Sequence, residues 1–503
     1  MSFGENIDEL VENSTNGLHG THPTWERVKV GEIATLVNGF AFKSGGFNDA
    51  DGTPIVRIRD VTKGAPGTFY KGPVDDPRMT WIENGQIVIG MDGDFNCRVW
   101  TGGKALLNQR VCTLSTNEKL YSQRFLAFAL PGYLKLINNH TSSVTVKHLS
   151  SLTVRDIPLP LPPLNEQRRI VEKIETLFAR LDKGEEALRD VQKLLARYRQ
   201  SVLKAAVTGQ LTADWRAENA HRLEHGRDLL ARILQTRRET WDGRGRYKEP
   251  TAPDTNDLLE LPEGWVWASV DQLSSSEANA LCIGPFGSNL KVEDYRDEGV
   301  PLVFVRHIRA KDFTGQNLRF VDEKKAEELS SHRVYPGDIL VTKMGDPPGD
   351  VGVYPDGASI AIITADCIRF AVSRAGVARE FIATSLEARP VQSQIHAISK
   401  GVAQQKVNLA NFKRIALPLP SFEEQEKIAE LVATHMTKID AMEAWCQTEL
   451  TRSAALRQSI LKDAFAGRLV PQDPTDEPAS DLLARIKAAC AATPAKTRRK
   501  ARA

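Results

Sequence analysis

The sequence has few cysteines, no long apolar run and almost no charge imbalance. Its six cysteines, Cys97, Cys112, Cys282, Cys367, Cys446 and Cys490, include no C-x-x-C pair and no histidine at a metal-ligand spacing. Such thin usage in a long chain points to reduced thiols and the cytoplasm and argues against a zinc site. A membrane-spanning helix needs roughly 20 consecutive apolar residues, and no such run is present. The first 20 residues are polar and acidic, which does not fit a signal peptide. With 66 Lys and Arg against 64 Asp and Glu, the net charge is +2, so a polyanionic partner could be met only by local clusters. The one dense basic run, "KTRRKARA" at 496–503, reads as a solvated end, with a phosphate contact as the alternative.

Catalytic signatures are missing as well. No G-x-x-x-x-G-K-[ST] loop occurs, so an ATP motor is excluded, and no glycine-rich cofactor fingerprint follows a strand. "DPPG" at Asp346–Gly349 approaches the D/N-P-P-Y/F motif of amino-methyltransferases. Gly349, however, stands where the aromatic that stacks a flipped base would be, so the stretch reads as a turn. Carboxylates near lysines lack nuclease spacing. No catalytic constellation and no metal site is expected.

Repetition is what the chain does have. "LPLPPLNEQRRI" from Leu159 returns as "LPLPSFEEQEKI" from Leu417, and 159–211 aligns with 417–469 without a gap. "RQSVLKAAVTGQL" (199–211) falls on "RQSILKDAFAGRL" (457–469), and "DLLARI" occurs at 228–233 and 481–486. Looser matches pair Trp25 with Trp265, "GTPIVRIRDV" (52–61) with "GVPLVFVRHI" (299–308), and "GQIVIGMDGD" (85–94) with "GDILVTKMGD" (337–346). Internal repeats of this kind decide the whole fold. The chain divides into a segment 1–19, a module 20–160, a spacer 161–211, a helical linker 212–257, a module 258–420, a spacer 421–469 and an extension 470–503.

The spacers read as long helices. Ile170, Ile174, Leu177, Leu181, Gly184, Leu188, Val191 and Leu195 step alternately by four and three, the a/d seam of a coiled coil with one glycine lapse. In the second copy Ser421 and Glu424 form a capping box. Its seam runs Ile428, Val432, His435, Ile439, Met442 and Cys446, then lapses at Glu449 and Ser453 before Leu456 and Ile460. His435 is expected in the seam rather than on a metal. A one-sided seam needs a partner, and the other copy packed antiparallel supplies it, giving a pseudo-twofold arrangement. The "LPLP" stretch before each helix reads as a strand-like joint between module and rod.

The modules read as mixed α/β. "PIVRIRDV", "GQIVIGM" and "RVCTLST", with "PLVFVRHI", "GDILVTKM" and "CIRFAVS", are short strands bounded by Gly, Pro and Asp. "YSQRFLAFAL" (121–130) and "AREFIATSLEA" (378–388) are expected late helices. The loops "GFAFKSGG", "GPFGSNLK", "SSVTVKHLS" and "KGVAQQK" suit phosphate and base contacts or simply solvated turns, and composition leaves both open.

Taken in order, the doubled joints, the doubled helix ends and "GPFGSNLK…GVPLVFVRHI…VYPGDILVTKMGD" resemble the specificity subunits of type I restriction–modification systems over nearly the whole chain. The resemblance implies a mixed α/β fold of two target-recognition domains separated by two long helices in an antiparallel coiled coil. It implies recognition of a bipartite site on double-stranded DNA, together with modification subunits, two of them, and restriction subunits. S-adenosylmethionine, ATP and Mg would belong to those partners, with no cofactor in this chain. The candidate DNA contacts are Lys43, Arg57, Arg59 and Lys147 in the first module. In the second they are Ser288, Lys291, Arg306, His307, Lys343, Gln404, Gln405 and Lys406. Arg59 and Arg306 are expected at the ends of matched strands. A self-sufficient DNA adenine methyltransferase and a coiled-coil adaptor without DNA specificity remain the alternatives, the first lacking any segment for a cofactor domain.

Overall fold

The computed structural model describes residues 5–14, 19, 22–141, 146–242, 245–315, 318–399 and 405–492. Gln404 and the basic run 496–503 lie outside the described residues. Among the described residues no helix is long and apolar enough to cross a membrane. The chain forms two compact units, Met1–Leu188 with Thr448–Ala503, and Arg189–Gln447.

In the first unit, Glu26–Lys29 pairs antiparallel with Pro158–Leu161, Val28 opposite Leu159. The prolines of the "LPLP" stretch are tolerated because a two-stranded ladder leaves alternate N–H positions unused. A four-stranded sheet takes the order Ala34–Asn38, Val111–Thr116, Ile87–Gly90, Cys97–Val99. A five-stranded sheet takes the order Phe47–Asn48, Thr68–Tyr70, Thr53–Val56, Ala105–Leu107, Trp81–Ile82, with Ile55 parallel to Leu106. The late helix is Gln123–His140, longer than 121–130 because its apolar face (Phe125, Leu126, Ala129, Tyr133, Ile137) continues past Pro131.

The second unit repeats this plan. Val266–Ser269 pairs with Ala416–Leu419, Ala268 opposite Leu417. One four-stranded sheet runs Leu281–Ile283, Cys367–Phe370, Ile339–Thr342, Val351–Val353. The other runs Phe320–Val321, Val300–Val303, Ala361–Ile363, Arg333–Val334, and here too the middle pair is parallel, Leu302 beside Ile362. The late helix is Arg379–Glu387. The two copies of "DLLARI" lie on helices Gly226–Glu239 and Ala479–Ala492, which bury Leu229 with Ile233 and Leu482 with Ile486. Their arginines also correspond. Arg232 donates to the Ala375 carbonyl in one unit, and Arg485 to the Lys119 carbonyl in the other, each at 3.1 Å.

The spacers are helices Leu164–Val207 and Phe422–Phe465, 44 residues each, or ~66 Å of rod. Each unit holds a stretch of both helices, running antiparallel. In the first, Arg457 reaches Asp182 and Glu185 (2.6 and 3.0 Å), while Ser453 donates to Glu185 (2.8 Å). In the second, Arg199 reaches Asp440 and Glu443 (2.6 and 3.1 Å), and Tyr198 meets His435 at 3.0 Å.

Ile170, Ile174, Leu195, Ile428, Val432 and Ile439 are buried as the seam requires, and Leu177, Leu181, Leu188 and Val191 are half-buried. Met442 is not on the seam. It is 48% exposed, and Leu456 is turned out too. Between Val432 and Ile460 the buried positions of the second helix are Val432, Ile439, Cys446, Ser453 and Ile460, one per heptad. An ionic layer takes the level expected for Met442, where Glu443 faces Arg199. Ser453 does not interrupt the seam; it stays inside because Glu185 accepts its hydroxyl.

The doubled "EQ" pair ties each spacer to its module. Glu166 accepts from the Trp25 indole at 3.1 Å, and Glu424 accepts from the Trp265 indole at 2.9 Å. Gln167 donates to the Pro162 carbonyl and accepts from the Ser122 N–H, both at 2.9 Å, just where the late helix begins. Gln425 donates to the Pro420 carbonyl (3.1 Å) and accepts from the Ala378 N–H (2.8 Å) at the start of its own late helix. One glutamate thus holds the tryptophan that immediately precedes the first strand, and one glutamine satisfies a helix N-terminus. The repeated dipeptide is a three-way joint.

Burial raises the Glu166 carboxyl above the usual carboxylate range, opposed by hydrogen bonds from Gln472 and Trp25. A raised folded-state value favours the neutral form, so this contribution to stability is present at acid pH and lost as pH rises through that value. Glu166→Gln should therefore keep or raise the melting temperature at neutral pH. Glu166→Ala strands the indole N–H and the Gln472 amide and should cost about 1–3 kcal/mol. Thermal melts of the two variants against the parent check the order.

Candidate nucleic-acid interface

In the first module the loop after Ala34–Asn38 places Lys43 in solvent, at the start of a short turn Ser44–Gly46. Behind it Phe42, Phe47 and Tyr70 pack together, with centroids 4.9 to 6.5 Å apart and the Phe42–Tyr70 pair edge to face. The Arg57 guanidinium lies 5.4 Å from the Phe47 ring. Arg59 donates to Thr68 Oγ1 at 2.7 Å and lies 3.6 Å from Asp49, with half its side chain exposed. Lys43, Arg57 and Arg59 therefore share one patch. Lys147 is elsewhere, its ammonium donating to the Asn138 carbonyl (2.7 Å) near the end of the late helix.

The second module builds a counterpart. Ser288 and Lys291 are exposed on the loop after Leu281–Ile283. The Arg306 guanidinium stacks 4.3 Å from the Phe304 ring, which packs edge-on against Tyr295 at 6.0 Å. Lys343, Gln405 and Lys406 come together separately. Met344 pairs with Lys406 and Gly345 with Gln405 in a small antiparallel ladder, and Lys343 donates to the Ala365 carbonyl at 3.2 Å. The first module has the same loop-to-loop link, a bridge between Asp92 and His148.

Two expectations are corrected. Arg59 and Arg306 do not end strands; each is the second residue of a short helix, Ile58–Lys63 or Val305–Ala310. The strand stops because a side chain three residues on captures the backbone. Asp60 accepts from the Arg57 N–H (2.9 Å), and His307 Nδ1 accepts from the Phe304 N–H (3.2 Å). That same bond removes His307 from the surface. The ring is 6% exposed, so it caps a helix rather than meeting DNA.

Reading the sequence also missed cations that stand over aromatic rings. Arg78 lies 5.4 Å from Phe40, and Lys104 lies 5.0 Å from the half-exposed Trp81. Their partners are tens of residues away, so spacing carried no signal.

The type I restriction modification DNA specificity domain matches residues 23–189 and 310–451. The EcoBI specificity subunit of Escherichia coli is 35% identical over 502 residues, 98% of either chain. This chain belongs to the type I restriction–modification specificity-subunit family. The EcoKI subunit of Escherichia coli strain K12 is 23% identical over 93% of this chain and 96% of its own. The StySPI subunit of Salmonella potsdam is 25% identical over 92% and 95%. A solved structure from work on "complex assembly and conformational transition of the type I R-M system" superposes with a TM-score of 0.61. It is 17% identical and covers 89% of this chain and 98% of its own, so it speaks to the fold. In this chain each module sets a guanidinium over an aromatic ring beside its strand-to-helix turn, Arg57 over Phe47 and Arg306 over Phe304.

Arg306→Ala and His307→Ala should behave oppositely. Loss of the exposed guanidinium should weaken DNA retention by the assembled complex, by about 1–3 kcal/mol if it reads a base, with melting lowered by no more than the lost stacking on Phe304, about 0.5–1 kcal/mol. Loss of the cap should lower the melting temperature by the equivalent of about 1 kcal/mol and leave base choice intact. Salt-dependent binding and thermal melts on both variants decide the roles.

Proposed function

We infer that this chain reads a bipartite site on double-stranded DNA, one half per module, and serves as scaffold for modification and restriction subunits. What supports this reading is the duplicated module. Each module carries a guanidinium over an aromatic ring beside the short helix that follows a matched strand, on a chain whose family is defined by DNA specificity. Arginine and lysine over aromatic faces suit phosphate and base edges, and pairs of recognition modules suit split sites. The chain itself performs no chemistry in this reading. Two modification subunits bring S-adenosylmethionine and methylate adenine; restriction subunits bring ATP and Mg. The setting is the prokaryotic cytoplasm.

The 44-residue helices set the gap between the half-sites. Their repeat holds its length without an insertion while the modules vary, as a rigid spacer demands. Gln210, just past the first helix, is a poor place to lengthen that spacer. Gly209 there has φ +71 and a Cβ would meet Pro262 at 2.5 Å, so the insertion belongs within the helices.

Purified chain with S-adenosylmethionine should transfer no methyl groups to DNA, and the complex with modification subunits should methylate a split sequence. Methylation by the chain alone would overturn the assignment. Three heptads added to both helices extend them by ~32 Å, close to the ~34 Å of one DNA turn. Methylome sequencing should then show the same half-sequences separated by about ten more base pairs.

A further inference from the structure

We propose that Phe286 is an apolar wedge that enters between stacked base pairs of the half-site read by the second module. The proposal rests on the DNA-recognition reading above and names a contact within it. Phe286 is 70% exposed, although two other phenylalanines of the same module, Phe304 and Phe313, are packed against neighbours. Its loop is built rather than loose. Gly284 lies so close to the Thr364 backbone that a Cβ would meet its carbonyl at 2.1 Å, and its N–H donates to Cys367. Pro285 is buried, the Asn289 N–H closes a turn onto the Phe286 carbonyl at 2.8 Å, and His332 holds the Ile283 carbonyl at 2.7 Å. A fixed pedestal therefore carries a solvent-facing ring.

The surroundings point to nucleic acid as the occupant. Ser288, Asn289 and Lys291 are exposed on the same loop and offer hydroxyl, amide and ammonium groups for phosphates and base edges. An aromatic flanked by such groups is the equipment with which proteins part a base step and kink the duplex. Comparison with the first module sharpens the point. There the equivalent glycine, Gly39, makes the same close approach to Asn108, also at 2.1 Å. Two residues on, Ala41 stands where the second module has Phe286, and the loop's own aromatics, Phe40 and Phe42, pack on each other at 5.2 Å. The first module has no wedge at this place, so unstacking should be confined to one half-site. Flexible pyrimidine–purine steps would be favoured there.

The test uses the full chain in complex with its modification subunits, without S-adenosylmethionine, on the duplex identified by methylome sequencing. 2-Aminopurine is placed in turn at each position of both half-sites other than the methylated adenines. The parent complex should raise fluorescence at one step of one half-site. Phe286→Ala should abolish that signal and weaken binding about tenfold, with normal subunit assembly. Phe286→Leu, still apolar, should keep most of both. Unchanged fluorescence and affinity in Phe286→Ala would overturn the wedge alone. So would loss of a modification subunit from that variant, which would make the ring a protein contact. A parent complex with no preference for the duplex over a scrambled one would overturn the recognition reading, and the wedge with it.

Discussion

A buried carboxylate that accepts one indole hydrogen bond organises each half of this chain. Glu166 with Trp25, and Glu424 with Trp265, lock the strand that opens a module to the helix that leaves it. The neighbouring glutamine completes the lock by satisfying the N-terminus of the module's late helix. These groups are buried, so leaving any one unpaired is costly. The module can therefore vary its loops, but the angle at which it meets the rod is held. In the second unit Thr212 and Arg216 also converge on Glu424, at 2.7 and 2.8 Å. Gln472 approaches Glu166 in the first, and Arg169 pairs with Asp476 beside it. Different residues thus reinforce the same point.

Much of this was legible in the sequence because it is written twice. The offset of 258 between the joints, the heptad steps of the first helix and the paired tryptophans required no structure to find. What each partner does was less visible, since a hydrogen bond across 141 residues leaves no periodic trace. The strand ends failed for a local reason. "RIRDV" alternates like a strand, but Asp60 turns back to cap a helix, and capping competes with sheet at that position. The loop cations were only partly legible. Sequence does not tell which arginines are solvent-facing; Arg369, inside an apolar-looking strand, is 2% exposed and paired with Asp338 at 2.6 Å.

The coiled coil shows a further limit of pattern reading. Apolar periodicity favoured Met442, yet the helix is phased so that ionic and hydroxyl groups occupy two levels of its inner face. Arg199 between Asp440 and Glu443, and Arg457 between Asp182 and Glu185, are each one cation shared by two acids. Such layers add little stability when exposed, but they penalise a shifted register, because sliding by a turn would oppose charge with leucine. A single polar layer is the best-attested way to fix alignment in paired helices.

The first unit takes its last pieces from the far end of the chain. Ile460, Phe465, Leu482 and Ile486 belong to the same core as Phe125 and Ile170, whereas the second unit is one continuous segment, Arg189–Gln447. During synthesis, where residues emerge in chain order, the earlier module's core lacks these side chains until after the last residue of the later unit has been made. Ribosomes that stop short of residue 460 would leave the second module complete and the first unfinished. The half that is begun first is the half whose core is completed last.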